Sequence, residues 1–250
     1  MHASFGVNSQ ASGSCYLELA NTRVQCSVFG PREASNFSTS FQNVATETDG
    51  SSDELEIAAP GTLECTVQFA PFARRSRSVD AALLNTDAEE RRLCRALHQA
   101  LAPTILLARL PRSVIEVYCL ILESCGEEEA AVIAGASLAL ADSGVELVGL
   151  CACARAQGGH VSADNDSLRF LAGPAIVHHD RHTSGRKIQT TIAQVVSSKL
   201  IARALIEGES DANDFSSALR RTMEACVDIY SQMRAVLTQS VERKSRAQQI

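Results

Sequence analysis

One stretch constrains the whole chain: Ser113 to Gly144, reading SVIEVYCLILESCGEEEAAVIAGASLALADSG. Val114 to Leu122 is β-branched, aromatic and aliphatic, which predicts a strand buried on both faces. Glu127 to Asp142 is Ala- and Leu-rich and apolar nearly all round after its first turn, which predicts a helix packed inside the protein. Ser143-Gly144 stops it, since Gly is the common residue past a helix C-terminus. Between strand and helix lie Ser124, Cys125 and Gly126, then Glu127, Glu128 and Glu129. A strand, a tight glycine turn and a helix N-terminus make an anion site, because orphan N–H groups and the helix dipole face the ligand. Here carboxylates fill that first turn. They suit the dipole and repel a phosphate.

The chain's 250 residues are enough for a sizeable core. No apolar run approaches the roughly 20 residues of a membrane span, so a membrane is not an expected partner. Met1 to Ser14 carries neither a basic n-region nor an apolar h-region. The 9 cysteines, an odd number without CxxC spacing, fit buried thiols in a reducing compartment better than a disulfide framework. Formal net charge is −6, which argues against the whole molecule as a nucleic-acid binder. Its distribution is uneven: Ala34 to Ala73 has no Lys or Arg, while Arg74, Arg75, Arg77, Arg91, Arg92 and Arg95 follow closely.

Along the chain, residues 1–12 read as a flexible segment, 13–242 as one domain and 243–250 as a fraying basic tail. Gly13 to Gly30 predicts a β-hairpin turning at Ala20-Asn21-Thr22. Residues 34–61, acidic and polar, read as a long loop insertion. Thr62 to Phe69 alternates as a strand does. Asp87 is the expected N-cap of a helix, with Glu90 at the capping-box position. Leu93, Ala96, Leu97, Ala100 and Leu101 then share one face, and Pro103 closes the helix. Leu147 to Ala154 predicts a strand, Gly158 to Asp166 a loop, and Ala175 to Val177, Ile188 to Val196 and Lys199 to Leu205 a meander. From Asp211 to about Glu242, Phe215, Leu219, Met223, Cys226, Tyr230, Met233, Leu237 and Val241 recur at helical spacing. The plain reading is one α+β or α/β domain of mixed sheets flanked by helices, ending in a long helix.

Several pieces together resemble the RNase PH family. Gly13-Ser14-Cys15-Tyr16-Leu17-Glu18, Asn21-Thr22-Arg23-Val24 and Phe29-Gly30-Pro31-Arg32 are similar to its "GSAYxExGxTKV…GPR" opening. FAPFARRSR (Phe69 to Arg77), EERRL (Glu89 to Leu93), LPRSVIEV (Leu110 to Val117) and ALADSGVEL (Ala139 to Leu147) are similar to its helix, "hPRs" strand and "AlaDAGv" helix. The likeness runs from about Gly13 to Val241 and looks most like the branch of eukaryotic RNA exosome ring subunits. It implies an α+β fold of the ribosomal protein S5 domain 2-like type, with mixed sheets, flanking helices and a long C-terminal helix. It also implies a hetero-hexameric ring with other RNase PH-like subunits, S1/KH cap subunits as further partners, RNA as the threaded substrate, and the nucleus, nucleolus and cytoplasm as locations.

Active members of the family cut RNA from its 3′ end by phosphorolysis. Such a site holds two mutually repelling anions, so it needs N–H groups, hydroxyls, Arg and carboxylates for metal or acid catalysis. The resemblance puts the family's "GG[ST]R" turn at Gly126, Glu127, Glu128 and Glu129, where one glycine survives and the hydroxyl and arginine are Glu. Two unit charges about 4 Å apart interact by roughly 4 kcal/mol at an effective dielectric near 20, enough to remove most phosphate affinity. The family's paired Asp residues, six positions apart, are also missing: Asp164 leads to Phe170 and Asp166 to Ala172. No catalytic residue and no cofactor is therefore expected.

The remaining functional candidate is the basic turn of Arg74, Arg75 and Arg77, which in a ring can track an RNA backbone without reading sequence. A solvated turn is the competing reading. Arg91, Arg92 and Arg95 read as surface salt-bridge residues. His178, His179, Asp180 and His182 hold metal-ligand chemistry, but adjacent His residues on a strand face opposite sides, so no metal site is expected. Cys151 and Cys153 share a strand face and read as core. An active phosphate-dependent 3′–5′ exoribonuclease and a free-standing RNA-binding protein are the alternatives to a non-catalytic ring subunit.

Overall fold

The computed structural model describes residues 1–33, 60–73, 79–159, 169–172, 187–208 and 212–247. The hairpin forms as its turn residues require, with β2 (Gly13–Leu19) pairing antiparallel to β3 (Thr22–Glu33). Ahead of it, β1 (His2–Phe5) pairs with β2 from His2↔Glu18 to Phe5↔Cys15. This corrects the expectation of a flexible segment over 1–12: the pairing supplies the hydrogen-bonding partners that a polar sequence does not advertise. Next come β4 (Thr62–Phe69), α1 (Val79–Leu101) and β5 (Ser113–Glu123). β4 runs parallel to β5, and a parallel pair needs a crossover, which α1 provides.

The first sheet therefore has the order β1-β2-β3-β5-β4, with β5 in its interior between β3 and β4. α1 starts eight residues before the expected N-cap Asp87, which lies exposed inside the helix. The Ala- and Leu-rich run Ala81 to Leu84 is strongly helix-forming, and it outweighs the capping signature. Glu90 turns instead to the sheet, where its Oε1 accepts the Phe69 N–H at 2.8 Å. Leu93, Ala96, Leu97, Ala100 and Leu101 are all buried, as their spacing requires.

α2 (Glu128–Ser143) is buried at every position from Glu128 to Leu140 because it is enclosed on two sides. On one side it meets the first sheet, with Cys26 Sγ 4.0 Å from the Val132 carbonyl. On the other it meets the second sheet, where the Ser137 hydroxyl accepts the Cys151 N–H at 2.9 Å. That second sheet comprises β6 (Cys151–Gly159), β7 (Arg169–Ala172), β8 (Lys187–Val195) and β9 (Leu200–Gly208), in the order β7-β6-β8-β9.

Two expectations shift here. The strand expected at Leu147 starts at Cys151, because Leu147 is used in an isolated bridge to Ile105. β7 falls in a stretch, between the expected loop ending at Asp166 and the expected strand at Ala175, for which the sequence predicts no element. Ala175 to Val177 lies outside the described residues, as does most of the 34–61 insertion.

α3 (Ala212–Ala247) covers the second sheet and runs past the expected fraying point at residue 243. Its Cys226 and Met233 are fully buried, and the Cys226 thiol meets the Ile192 carbonyl at 3.3 Å. Phe215 and Val241 are exposed, so the helix outruns the sheet at both ends of its apolar stripe. The result is an α+β fold with α2 held between a mixed first sheet and a second sheet that is antiparallel throughout, where mixed sheets were expected. No helix among the described residues is long and apolar enough to cross a membrane.

Candidate functional site

β5 delivers the chain to the turn Ser124-Cys125-Gly126, where Gly126 adopts φ 100°, a conformation that strains any residue with a Cβ. The turn opens directly onto the N-terminus of α2, so the expected anion-binding geometry is present. Its occupant is the protein's own side chain. Glu128 Oε1 accepts the Gly126 N–H at 2.7 Å and also the Ser124 hydroxyl in a short hydrogen bond. A backbone N–H and a hydroxyl of the kind that grip a phosphate oxygen here grip a carboxylate.

The neighbouring carboxylates are equally committed. Glu127, Glu128 and Glu129 are 6%, 7% and 7% exposed, so none projects into solvent as a free anion. Glu129 Oε1 pairs with the Arg203 guanidinium from β9, and its Oε2 pairs with Arg92 Nη1 from α1 at 3.4 Å. Arg203 also donates from Nε to Gln99 Oε1 at 3.1 Å, which ties β9 to α1. Arg155, on β6, donates to the Gly126 carbonyl. Glu129 thus meets two guanidiniums, drawn from α1 and β9, while Glu128 is held by the turn itself and Arg155 from β6 braces the turn's Gly126 carbonyl. Burying charge is tolerable only when it is paired and hydrogen-bonded in this way.

The structure separates the Arg residues that the sequence grouped. Arg92 enters this cluster, whereas Arg91 and Arg95 are exposed and hydrogen-bond carbonyls one turn back on their own helix. Arg155 and Arg203 were not singled out from sequence. The signal for Arg203 is its place as the one basic residue in the largely apolar strand LIARALIEG. Arg74, Arg75 and Arg77 lie outside the described residues, as do His178, His179, Asp180, His182, Asp164 and Asp166.

Cys151 and Cys153 are buried core thiols, as their shared strand face predicts. Burial pushes the Cys151 thiol up to about 12 and holds Cys153 well above its ordinary value, which keeps both protonated and inert.

At the other end of α2, Asp142 is a structural node. Its Oδ2 accepts the Ser14 N–H at 3.2 Å and its Oδ1 pairs with Lys244 Nζ at 2.5 Å, joining β2, α2 and α3. Gly13 sits so close that a Cβ there would lie 2.3 Å from the Ser143 nitrogen and 2.4 Å from the Ala139 carbonyl oxygen. The Gly-Ser opening and the Ala-Asp-Ser-Gly ending are therefore two halves of one contact.

Fold and turn together define a class: a two-sheet α+β domain with an anion turn at the head of its central helix. The family model described as 3′ exoribonuclease family, domain 1 (RNase PH) matches residues 1–146. The chain belongs to the RNase PH family. Within it, the chain is 33% identical over 253 residues to the exosome complex component MTR3 of Homo sapiens, covering 100% of this chain and 86% of that protein. It is 33% identical over 145 residues to the exosome complex component RRP41-like of Arabidopsis thaliana, covering 58% of this chain and 47% of that protein. The crystal structure of rice (Oryza sativa) Rrp46 superposes with a TM-score of 0.65 at 14% identity, over 94% of this chain and 93% of that one, and supports the fold.

Proposed function

We propose that this protein is a non-catalytic subunit of an RNA exosome ring, built from RNase PH-like chains and acting in RNA processing and degradation. The observation that carries the reading is the occupied turn. Glu128 sits on the Gly126 N–H and the Ser124 hydroxyl, and Glu129 engages Arg92 and Arg203, so the donors a phosphate would need are already used. An incoming phosphate would have to displace Glu128 from the turn's donors or Glu129 from its guanidiniums, the latter at a cost of several kcal/mol for breaking a buried pair. The names of the relatives, exosome complex components, support the assembly.

In this reading the partners are other RNase PH-like subunits in a hetero-hexameric ring, with S1/KH cap subunits above it and RNA passing through. Arg74, Arg75 and Arg77 would contact the RNA backbone, and the protein would work in the nucleus, nucleolus and cytoplasm.

Two measurements test it. The tagged protein is purified from its own cells, and the mass and composition of what accompanies it are determined. A complex of distinct RNase PH-like chains is expected, and recovery alone or as a homo-oligomer would sink the assembly. Separately, the purified chain is incubated with RNA and inorganic phosphate. No nucleoside diphosphates are expected, and their release would return the turn to the working sites.

A further inference from the structure

Both helices that pack on the first sheet lie on one side of it. α2 meets Cys26, and α1 meets Val67 through Cys94, and these strand residues belong to the buried face. On the opposite face no described helix or strand packs; the loop through Asn8 covers its Ser14–Ser27 corner, where Asn8 hydrogen-bonds both hydroxyls, and leaves Tyr118 and Leu120 exposed. Yet that face is not the polar surface a solvated sheet presents. The cross-strand registers place Tyr16 on β2, Phe29 on β3, and Tyr118 and Leu120 on β5 together. Tyr118 is 43% exposed and Leu120 37%, and the Phe29 and Tyr118 rings meet edge-on at 5.7 Å. Aromatic side chains clustered on an exposed face mark interaction surfaces.

The charges around the cluster select the occupant. Glu18, Glu64, Glu116 and Glu123 share this face with Arg23 and Arg32. Arg23 is divided between Glu18 and Glu123, and Arg32 pairs with Glu116. Among the described residues, four carboxylates against two guanidiniums leave an acidic excess around an aromatic cluster that also holds Gln25 and Ser27. Such a rim repels a phosphodiester chain, so a platform for stacked bases is disfavoured. It attracts Lys and Arg, and an Arg laid over Tyr118 would gain cation–π attraction as well.

We infer that the outer face of the first sheet, centred on Tyr118, is a docking surface for a protein partner that presents an apolar patch rimmed by Lys or Arg. The inference rests on the proposed role as a subunit of a larger assembly, and names the face through which this chain is held there.

The test is hydroxyl-radical footprinting read by mass spectrometry. It compares the isolated chain with the chain purified from its own cells together with its partners, before and after ribonuclease treatment. Oxidation of Tyr118 and Leu120 should fall in the complex by about tenfold, as for residues at the centre of an interface, and ribonuclease should not restore it. The double variant Tyr118→Asp, Leu120→Asp, with its circular dichroism unchanged, should lose at least one partner by about tenfold, while Tyr118→Phe retains it. A complex in which these residues oxidise as fast as in the isolated chain overturns the docking face and leaves the ring role standing. Protection abolished by ribonuclease makes the occupant nucleic acid and also overturns it. A chain recovered without partners, with the face unprotected, overturns both.

Discussion

At the scale of single residues, the turn at the head of α2 shows how a few charges decide what a scaffold can do. Glu129 is 7% exposed, and its partner Arg203 has a side chain only 13% exposed. Removing one member of a buried pair leaves the other charge stranded. Glu129→Ala should therefore cost about 3–5 kcal/mol of folding stability, measured by urea denaturation. Arg92, 41% exposed, is the solvated arm of the same cluster, so Arg92→Ala should cost less than about 1 kcal/mol. Equal losses for the two variants would mean that Glu129 is held by something other than Arg203. The sequence announces the carboxylates and their place at a helix start. It does not announce that they face inward, because the counter-charges of Glu129 arrive from α1 and β9, far along the chain. Charge type is local information, and charge pairing is tertiary.

At the scale of elements, the central strand and helix are legible because each has only one way to be buried. β5 and α2 lie within one residue of the spans their composition implies, and the α1 face from Leu93 to Leu101 packs as its spacing demands. Two of the misplaced boundaries share one cause. Leu147 and the polar start at His2 each sit where a local signal competes with a partner distant in sequence, a bridge to Ile105 and a free edge of β2, whereas Asp87 yields to the stronger helical run just before it. Gly13 gives this a quantitative test. It lies against the backbone of Ala139 and Ser143, which cannot give way as a flexible side chain can. Gly13→Ala should destabilise the fold by about 1–3 kcal/mol or more, the usual cost of forcing a methyl into a packed contact. Ala11→Gly, on the half-buried approach to the strand, is the control and should move the melting temperature far less. If Gly13→Ala were neutral, β2 and the end of α2 would not be joined by the contact through Gly13 and Asp142.

At the scale of the whole molecule, the two sheets share a buried-thiol chemistry that makes stability depend on pH in one direction. Cys15 in the first sheet, Cys151 in the second and Cys226 on α3 are each pushed by burial from 9.0 up to about 12. The folded chain thus keeps these protons until about pH 12, while the unfolded chain releases them from about pH 9. Unfolding releases protons in that window, so their contribution is complete below pH 9 and is lost as pH rises toward 12. Each thiol should cost about 1.4 kcal/mol at pH 10, and the three together about 4 kcal/mol. Urea denaturation under reductant at pH 8 and pH 10 should show a loss at least this large, because burial raises Cys26, Cys65 and Cys153 in the same direction. Replacing Cys15 by Ala, which cannot ionise, should remove about 1.4 kcal/mol of the difference while lowering stability at both pH values. A midpoint that does not move between pH 8 and pH 10 would mean that these thiols open to solvent in the native state. The interior would then be looser than a helix closed between two sheets permits.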